Sequence, residues 1–368
     1  MIGLDLETAP CEGQPQPYAL QPWRAREGTA HITSCAIAKS SGQAKTTPGR
    51  YSDLKQLLIE LDGKYVATWN GLFDVAWLLA YGLDEHVKKI KWVDAMLLWK
   101  WVENSQSKEH APAWSLMDGA KRWLKDWPHL DRFKDMKSKE VAAGEDDKYW
   151  EMRGKLDALV TVKIAEILQH KLTDQQRKSV LIEAACIIPA AKAWIGGINI
   201  DTHKCKAIAP IITDEMRSIE VKLGVCDSTS DKDQWKPSTL LSSPKKLSVL
   251  LYTTWGLPCS VFSDKTGAPS SNKTALTYLA DTDPRVLDIL RWRELNTQYT
   301  KFVKGIIATS EYINDDIAYP SPKIFSTYTG RFTYASRSGK KGENYKAKVG
   351  IPIHQFPRNK TLRKLIGS

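Results

Sequence analysis

The sequence predicts an α/β domain in the first part of the chain, followed by a mainly α-helical region. Up to about residue 172, short apolar runs typical of strands alternate with segments that carry leucines at helical intervals. From residue 173 onward, helix-start signals introduce long segments with helical spacing. The residues after 315 differ again, because they are strongly basic. We therefore expect three regions, at residues 1–172, 173–315 and 316–368.

The elements of the first region follow from periodicity and turn signals. Residues 1–8 and 31–38 have the apolar pattern of strands, whereas residues 10–22 are rich in Pro and Gln, which predicts an exposed loop. The remaining elements, in chain order, are a helix at 52–61, a strand at 65–69 that ends at the turn Asn70-Gly71, a helix from Phe73, a helix that starts at 92–98, a helix at 115–127, a solvated charged stretch at 131–148 and a helix at 153–170.

Helix-start residues delimit the second region. The start signals are the capping-box pair Thr173 and Gln176, the N-cap Asp201, and the two pairs of N-cap and proline, Ser243-Pro244 and Asp283-Pro284. The first of these helices is expected to reach about residue 194 and to end at Gly196-Gly197. The last is expected to run to about residue 307.

The composition predicts a globular protein with a polyanionic partner. The chain has 368 residues, of which 42% are hydrophobic and 14 are Trp, enough for two or three domains with cores of their own. Lys and Arg number 53 against 42 Asp and Glu, which gives a net charge of +11. Such a charge favours nucleic acid as a partner, although moderately basic proteins without one are common.

The cysteines and the hydropathy pattern predict a reducing, non-membrane environment. The six cysteines have no CxxC or CxxxC spacing, which argues against a zinc site and against a disulfide framework. No charged segment precedes an apolar run at the start, and no stretch has the roughly 18 apolar residues of a membrane span. We therefore expect a soluble intracellular protein without a membrane partner.

Two carboxylates lie one residue apart in the first strand, Asp5 and Glu7. Side chains at positions i and i+2 of a strand point to the same face, so these two acids share one side. Held close together and partly buried, they would raise each other's pKa, and a divalent cation such as Mg²⁺ or Mn²⁺ would remove that penalty. For an isolated D-x-E pair, a solvated strand end is the more ordinary interpretation.

Two further acids follow, one at a turn from a strand to a helix and one within a later helix. Asp74 lies in the first turn of its expected helix, where the helix dipole tolerates a negative charge. Asn70, four residues earlier, completes a pattern in which the amide binds a ligand or the backbone while the carboxylate reaches the same cleft. A plain helix-start acid is the alternative. Asp157 lies one turn after Arg153 on the helix expected at 153–170.

The basic region at the end of the chain alternates cations with aromatic residues. After Asp316 the only acid is Glu343. The aromatic residues are Tyr328, Phe332, Tyr334, Tyr345 and Phe356, and the cations include Arg331, Arg337, Lys340, Lys341, Lys346, Lys348, Arg358, Lys360, Arg363 and Lys364. A charge run is usually a solvated face, but cations mixed with aromatic rings favour contacts with phosphates and bases.

These acids occur in the order of a known family. The segments LDLET, WNGLFD and LDALVTV, which carry Asp5, Glu7, Asn70, Asp74 and Asp157, resemble the three acidic motifs of DEDD 3′–5′ exonucleases. The first region most resembles the proofreading domain of family A, DNA polymerase I-like enzymes of the phage type. Segments 183–201, 240–258, 267–279 and 290–307 are similar to the thumb of that family, and 328–336 and 351–366 are similar to the segments before polymerase motif A.

The resemblance implies an RNase H-like 3′–5′ exonuclease domain, then a helical polymerase thumb and a short palm-initiating segment. It implies two Mg²⁺ or Mn²⁺ ions on Asp5, Glu7, Asp74 and Asp157, for two-metal phosphodiester hydrolysis. It also implies single-stranded and primer-template DNA as partners in replication, in a bacterial or phage-infected cytoplasm. The nucleic-acid contacts that it implies are Thr8, Cys11, Asn70 and Phe73 near the terminal nucleotides, Ser242, Ser243, Lys245 and Lys246 on the duplex backbone, and Arg331 in the minor groove.

The sequence departs from that family at two points. Arg153 stands where the family has a Tyr or His that orients the attacking water, and a guanidinium cannot act as a base, although it can bind phosphate. Tyr149 lies one turn further away. The chain also stops before motif A, so we expect no polymerisation from it alone. The sequence leaves open a truncated polymerase, or a split polymerase whose palm and fingers lie on a second chain.

Two other functions remain open at this point. A disabled exonuclease would act as a DNA clamp and docking subunit for a catalytic partner. An RNA exonuclease of the RNase D type shares the acidic motifs but gives no reason for the thumb segments.

Overall fold

The fold was analysed in a computed structural model, which describes residues 1–103, 114–136, 146–226, 235–264, 266–310, 316–324, 331–334, 353–356 and 360–366. The chain forms two compact units. The first unit comprises Met1–Gly197 and Tyr319–Gly350, and the second comprises Ile198–Ala318 and Ile351–Ser368. The chain passes between the units after residues 197, 318 and 350, whereas the sequence predicted boundaries after residues 172 and 315.

A mixed five-stranded sheet organises the first unit and confirms the predicted α/β class. Its strands are β1 (Ile2–Pro10), β2 (Ala30–Lys39), β3 (Ala44–Pro48), β4 (Tyr65–Thr68) and β5 (Lys91–Asp94). Their order in the sheet is β3-β2-β1-β4-β5. Strand β1 runs antiparallel to β2 and parallel to β4, and β5 continues the parallel half beside β4. The sequence predicted a helix start rather than a strand at residues 91–94.

Nine helices of the described chain accompany this sheet: α1 (Tyr51–Glu60), α2 (Leu72–Ala80), α3 (Asp84–Val87), α4 (Ala95–Val102), α5 (Leu116–Trp123), α6 (Leu130–Lys134), α7 (Asp147–Lys171), α8 (Asp174–Ala185) and α9 (Ile187–Gly196). Short 3₁₀ helices at Gln16–Leu20 and Pro22–Ala25 replace part of the loop expected there. The apolar side of α1 is buried in the core through Leu54, Leu57, Leu58 and Leu61, as its spacing predicted.

Two predicted elements were wrong in detail. The stretch at 131–148 is not solvated throughout, because Phe133 of α6 is buried in the core; residues 137–145 lie outside the described part. The helix expected to run from 173 to 194 is divided at Cys186 into α8 and α9. Pro189 explains the division, since it has no N–H for the carbonyl of Ala185 and its ring would clash there. The capping box of Thr173 and Gln176 is present as predicted.

Helix α7 lies against β1 and β2 at unusually short range. A Cβ atom at Gly3 would overlap the carbonyl oxygen of Ala158, so only glycine lets the strand approach the helix backbone there. Further along the helix, Ala158 and Val162 are fully buried together with Ala36 and Ala38 of β2. Small residues on both sides therefore fix the depth at which α7 rests on the sheet.

The second unit is mainly helical, as the sequence predicted. Its elements are the strand pair β6 (Ile198–Asn199) and β7 (Ile317–Ala318), with α10 (Thr202–Leu223), α11 (Thr239–Ser242), α12 (Pro244–Ser248), α13 (Lys273–Ala280), α14 (Arg285–Gln298), α15 (Lys304–Ser310) and α16 (Lys360–Arg363). Two π-helical segments, Val249–Thr254 and Tyr299–Val303, continue α12 and α14, and a 3₁₀ turn occupies Ile353–Gln355. A hairpin of β8 (Pro322–Lys323) and β9 (Thr333–Tyr334) belongs to the first unit.

A buried carboxylate joins the elements of the second unit. Glu220 on α10 is 1% exposed and accepts hydrogen bonds from the indole Nε1 of Trp292 (2.8 Å), the indole Nε1 of Trp235 (3.1 Å) and the backbone N–H of Ser238 (2.8 Å). Three N–H donors compensate the loss of hydration that burial imposes on the carboxylate. The bonds tie α10 to α14 and to the segment before α11.

One stretch of the described chain passes a membrane-span test that the sequence analysis had not anticipated. Within Asp174–Gly196, an 18-residue window reaches a mean hydropathy of 1.5, and by length and composition alone the stretch would suffice to cross a membrane. The stretch contains two helices, and α9 places Ile187, Ala191 and Trp194 in the core of the first unit. A helix that contributes to a protein core meets the same test, so the finding is weak evidence for a membrane.

Candidate functional site

Three of the four predicted acids meet in one cluster. Asp5 and Glu7 on β1 and Asp157 on α7 each offer a carboxylate oxygen, and these oxygens all lie within 4.8 Å of one another. Glu7 is 6% exposed and Asp157 is 5% exposed, while Asp5 is half-buried. Three carboxylates at such range repel one another unless cations or protons compensate them, and their oxygens are the ligands that Mg²⁺ and Mn²⁺ prefer.

An irregularity in the β1–β2 ladder lies directly at the cluster. Glu7 pairs with Ser34, but the next residue, Thr8, pairs with Ile32, so Thr33 is an extra residue on β2. Such a bulge bends a strand and re-aims the neighbouring side chain, and bulges are frequent beside active sites. Glu7 therefore lies opposite the point where β2 carries its extra residue.

Helix α7 packs closely against β1 and β2 at Gly154, next to the two carboxylates of β1. A Cβ atom at this position would lie 3.2 Å from the Cβ of Ala36, 3.9 Å from Oδ2 of Asp5 and 3.9 Å from Cγ of Glu7. Asp157 follows three residues later and thus lies on the same face of the helix. The tight distance is the one to Ala36, so the glycine lets α7 pack a few tenths of an ångström closer to β2 beside the β1 acids.

Asp74 joins the site from the first turn of α2. It is 4% exposed, and its Oδ1 accepts a hydrogen bond from the backbone N–H of Leu6 at 3.2 Å. The ladder between β1 and β4 ends at Gly3, so beyond that point Asp74 takes the place of a strand partner. Its anchor on β1 is the residue between Asp5 and Glu7.

A buried aspartate that the sequence analysis did not single out holds the turn before α2. Asp94, at the end of β5, accepts hydrogen bonds from the backbone N–H groups of Asn70 (3.2 Å) and Gly71 (3.1 Å). It also caps α4 by accepting from the N–H groups of Met96 (3.0 Å) and Leu97 (3.2 Å). One carboxylate thus joins the carboxyl ends of β4 and β5.

The conformation of this turn requires such support. Asn70 has a φ of 59°, in the left-handed region that residues other than glycine seldom adopt. Burial raises the pKa of the Asp94 carboxyl, while its backbone donors and the nearby Lys100 act in the opposite direction. The signal that could have revealed Asp94 is its place as an N-cap immediately after an apolar strand.

Arg153 is paired with the acid cluster. Its Nε lies 3.6 Å from Oδ2 of Asp157, and its side chain is 13% exposed. The guanidinium also lies 5.9 Å from the ring of Trp150. Tyr149, the other residue considered for water positioning, packs edge-on against Trp150 and does not line the cleft beside the acids. A permanent positive charge therefore occupies the position next to Asp157.

The acids open onto a cleft of about 620 Å³ in the first unit. Asp5, Asp74, Asn70, Phe73, Arg153 and Asp157 line it together with Leu6, Trp69, Ser115, Leu116, Met117, Phe133, Lys134 and Met136. A larger cavity of about 690 Å³, near Thr46 and Tyr81, contains none of the four predicted acids. The chemistry of the side chains, rather than cavity size, identifies the first cleft as the candidate site.

Two predicted nucleotide contacts do not line this cleft. The hydroxyl of Thr8 donates to the carbonyl of Ala19 at 2.6 Å. The thiol of Cys11 donates to the carbonyl of Gly28 at 3.3 Å, and its sulfur lies 3.7 Å from Nδ1 of His31. Both side chains instead support the segment between β1 and β2.

The remaining predicted DNA contacts lie elsewhere in the described chain. Ser243 caps α12 by accepting from the backbone N–H of Lys246, and Ser242, Lys245 and Lys246 are exposed. Arg331 is exposed beside β9. The basic and aromatic residues at 335–352, which contributed to the prediction of nucleic-acid binding, lie outside the described residues.

Comparison with known proteins points to DNA polymerases. No protein-family model matches the chain. The chain is 24% identical over 369 residues to a DNA polymerase of Bacillus phage SP01, a match that covers 86% of this chain and 37% of the relative. It therefore spans little more than a third of that relative's length. The predicted resemblance is confirmed at the level of similarity to a DNA polymerase.

A solved structure shares the fold. The POL domain of Pol1 from M. smegmatis, in a complex with DNA primer-template and dNTP, superposes with a TM-score of 0.66 at 15% sequence identity. The superposition covers 99% of this chain and 54% of the solved chain. The fold of the chain is thus found within a polymerase domain.

Removing Asp94 tests its part in building the site. We expect Asp94→Ala to lower the free energy of unfolding by about 2–4 kcal/mol, because a helix cap is lost and buried N–H groups lose their acceptor. Asp146→Ala is the matched control: Asp146 caps α7 through one N–H, that of Tyr149, and is exposed. Its loss should cost about 1 kcal/mol. Urea unfolding measures both free energies. An equal loss of stability in the two variants would contradict the conclusion that Asp94 holds the turn before α2.

Proposed function

We propose that this chain is the 3′–5′ exonuclease and thumb portion of a family A DNA polymerase and proofreads DNA during replication. The observation that carries the proposal is the cluster of Asp5, Glu7 and Asp157, whose oxygens lie within 4.8 Å of one another, beside a cleft that Asp5, Asp157 and Asp74 line. The mixed sheet, with an antiparallel half at β1–β3 and a parallel half at β4–β5, supports an RNase H-like domain.

The donor set fits hard divalent cations. All of the ligand atoms are carboxylate oxygens, which suit Mg²⁺ or Mn²⁺, and Asp5, Glu7, Asp74 and Asp157 would hold two such ions. When bound, such ions supply an activated water and stabilise the leaving 3′ oxygen of the phosphodiester. The chain positions its acids through three separate anchors: the bulge beside Glu7, the seat at Gly154 and the bond from Leu6 to Asp74.

Arg153 sets how fast this site works. Its guanidinium cannot remove a proton, so it does not replace the Tyr or His that orients water in the family. It pairs with Asp157 at 3.6 Å and partly neutralises that ligand. The same charge is well placed to bind a phosphate of the strand that enters the cleft. We therefore propose a weak exonuclease that retains substrate binding.

The second unit contributes sequence-independent DNA binding. Ser242, Ser243, Lys245 and Lys246 are grouped at the junction of α11 and α12, where the lysines are exposed. We propose that they contact the duplex backbone, and that Arg331, which belongs to the first unit, reaches the minor groove. The similar Pol1 domain is in complex with primer-template DNA, which supports this assignment. Backbone contacts of this kind weaken as salt rises and do not read sequence.

One observation favours a second candidate function. The Arg153–Asp157 ion pair inside the acid cluster is also what a disabled nuclease would carry. The chain would then serve as a DNA clamp and docking subunit for the polymerising part. A separate chain with the palm and fingers remains a prediction from the sequence alone.

Degradation of single-stranded DNA distinguishes the two functions. We expect the wild type to shorten a 5′-labelled strand in Mg²⁺ or Mn²⁺. Asp74→Ala should lower that rate by about 100-fold or more, because the variant loses a cation ligand and the anchor on Leu6. Asp62→Ala, at an exposed residue that pairs with Lys89, is the control and should keep the wild-type rate. A gel that shows no degradation by any of the three proteins would favour the clamp.

Restoring the family residue tests the role of Arg153. We expect Arg153→Tyr to raise kcat by about tenfold or more, since a phenol can orient water and Asp157 is released from its ion pair. The same change should raise KM, because a phosphate-binding charge is lost. Single-turnover and steady-state rates on one oligonucleotide measure both effects. A variant with lower kcat than the wild type would mean that the guanidinium itself assists the reaction.

A further inference from the structure

The cleft contains a set of apolar side chains that cation binding does not use. Besides the acids and Arg153, its lining includes Trp69, Phe73, Leu116, Met117, Phe133 and Met136. Three different elements supply them: the end of β4 with α2, helix α5, and α6 with the residues that follow. Hydrated metal ions have no need of such a surface. A nucleotide joins an anionic phosphate to a flat apolar base, so it matches a cleft that has charged groups as well as apolar side chains.

Trp69 is the most firmly held of these side chains. Its indole Nε1 donates to the carbonyl of Trp114 at 3.1 Å. A Cβ atom at Gly119 would lie only 2.6 Å from Cη2 of the indole, so helix α5 touches the ring where it has no side chain. The ring of Trp99 lies 6.0 Å away at 50°. Contacts from α4, α5 and Trp114, two residues before α5, thus fix the ring before any ligand arrives.

The backbone of Trp114 has an unusual conformation at the point where it accepts the hydrogen bond from Trp69. Trp114 has a φ of 58°, a conformation that costs free energy in a residue other than glycine. Its own ring packs edge-on against Trp99 at 4.8 Å. The surrounding tryptophans therefore hold Trp114 in the conformation in which its carbonyl receives the Trp69 indole.

The other aromatic rings in the lining are less suited to a base. Phe133 is only 2% exposed, and Phe73 packs edge-on against Trp77 at 6.2 Å. Trp69 and Phe73 are both half-buried, so part of each ring remains accessible from the cleft, and the indole of Trp69 is the larger of the two ring systems. Trp69 also directly precedes Asn70 in the turn that leads to Asp74, so the ring is tied to the acidic end of the cleft by the chain itself.

We infer that Trp69 is a stacking platform for one base of the strand that enters the cleft. The inference rests on the proposed exonuclease function and adds a subsite for a nucleobase near the 3′ end. Stacking on an aromatic face accepts all four bases, so the subsite demands that a base is present without selecting which one. Because the ring is preorganised, little conformational entropy is lost when the base binds.

Abasic substitutions combined with variants of Trp69 test this subsite. The probes are single-stranded oligonucleotides whose last linkages are phosphorothioates, with one abasic residue at each of the last three positions in turn. Fluorescence anisotropy in Mg²⁺ measures their binding to the wild type, Trp69→Leu, Trp69→Phe and the control Trp127→Leu. Trp127 packs edge-on against His129 and does not line the cleft.

We expect one abasic position to weaken binding to the wild type by about tenfold, the effect of losing one stacked base. Trp69→Leu should bind normal DNA about tenfold more weakly and should be insensitive to that same abasic position. Trp69→Phe should keep most of the affinity and the sensitivity, which separates loss of stacking from loss of folding. Trp127→Leu should behave as the wild type.

Two results would overturn the subsite: equal abasic sensitivity of Trp69→Leu and the wild type, or no binding of the probes by the wild type. The readout is binding and not hydrolysis, so the subsite and the exonuclease can fail separately. If the predicted pattern is obtained but unmodified DNA is not degraded, the subsite stands and the proposed nuclease is refuted. If DNA is degraded but Trp69→Leu keeps the abasic sensitivity, the nuclease stands and the subsite is refuted.

Discussion

The site depends on how closely helix α7 rests on strands β1 and β2. Gly3 lets the strand meet the carbonyl of Ala158, and Gly154 lets the helix come down over the side chains of Asp5 and Glu7. A side chain at Gly3 would overlap the carbonyl of Ala158, so the helix would have to move outward or the strand would have to bend. A side chain at Gly154 would lie 3.2 Å from the Cβ of Ala36 and would require a smaller shift, of a few tenths of an ångström. Either shift would move Asp157 relative to the two acids of β1, so the close packing of α7 helps to bring the three carboxylates together.

The carboxyl ends of the strands supply a second layer of constraint. Asp74 bonds the N–H of Leu6 where the β1–β4 ladder has ended, and Asp94 holds the turn of Asn70 that precedes Asp74. Each acid satisfies backbone groups that would otherwise be buried without partners. The same bonds fix the direction in which α2 leaves the sheet. The carboxylate that holds the turn, Asp94, and the proposed cation ligand, Asp74, therefore belong to one buried arrangement.

Local patterns in the sequence predicted much of this, and long-range contacts explain the rest. The spacing of Asp5 and Glu7 predicted a shared face, and the caps at Thr173, Asp201 and Ser243 are present. Strand β5 was missed because four residues that run directly into a helix show no alternation of their own. Asp94 leaves a local signal as the N-cap of α4, but its bonds to Asn70 and Gly71 span more than twenty residues. The contact of Trp69 with Gly119 spans fifty residues, so no local pattern predicts either long-range contact. The predicted roles of Thr8 and Cys11 came from resemblance, and their side chains bond the 16–28 segment instead.

The central claim is that acids from β1 and α7 share a cation, and a double-mutant cycle on Mn²⁺ binding tests it most directly. Electron paramagnetic resonance of free Mn²⁺ gives the affinity of the wild type, Glu7→Gln, Asp157→Asn and the double variant. Two ligands of one ion are coupled, so we predict that each single change weakens binding by about tenfold or more and that the double variant loses clearly less than the two losses combined. Affinities that are unchanged in the single variants, or losses that simply add, would contradict the claim.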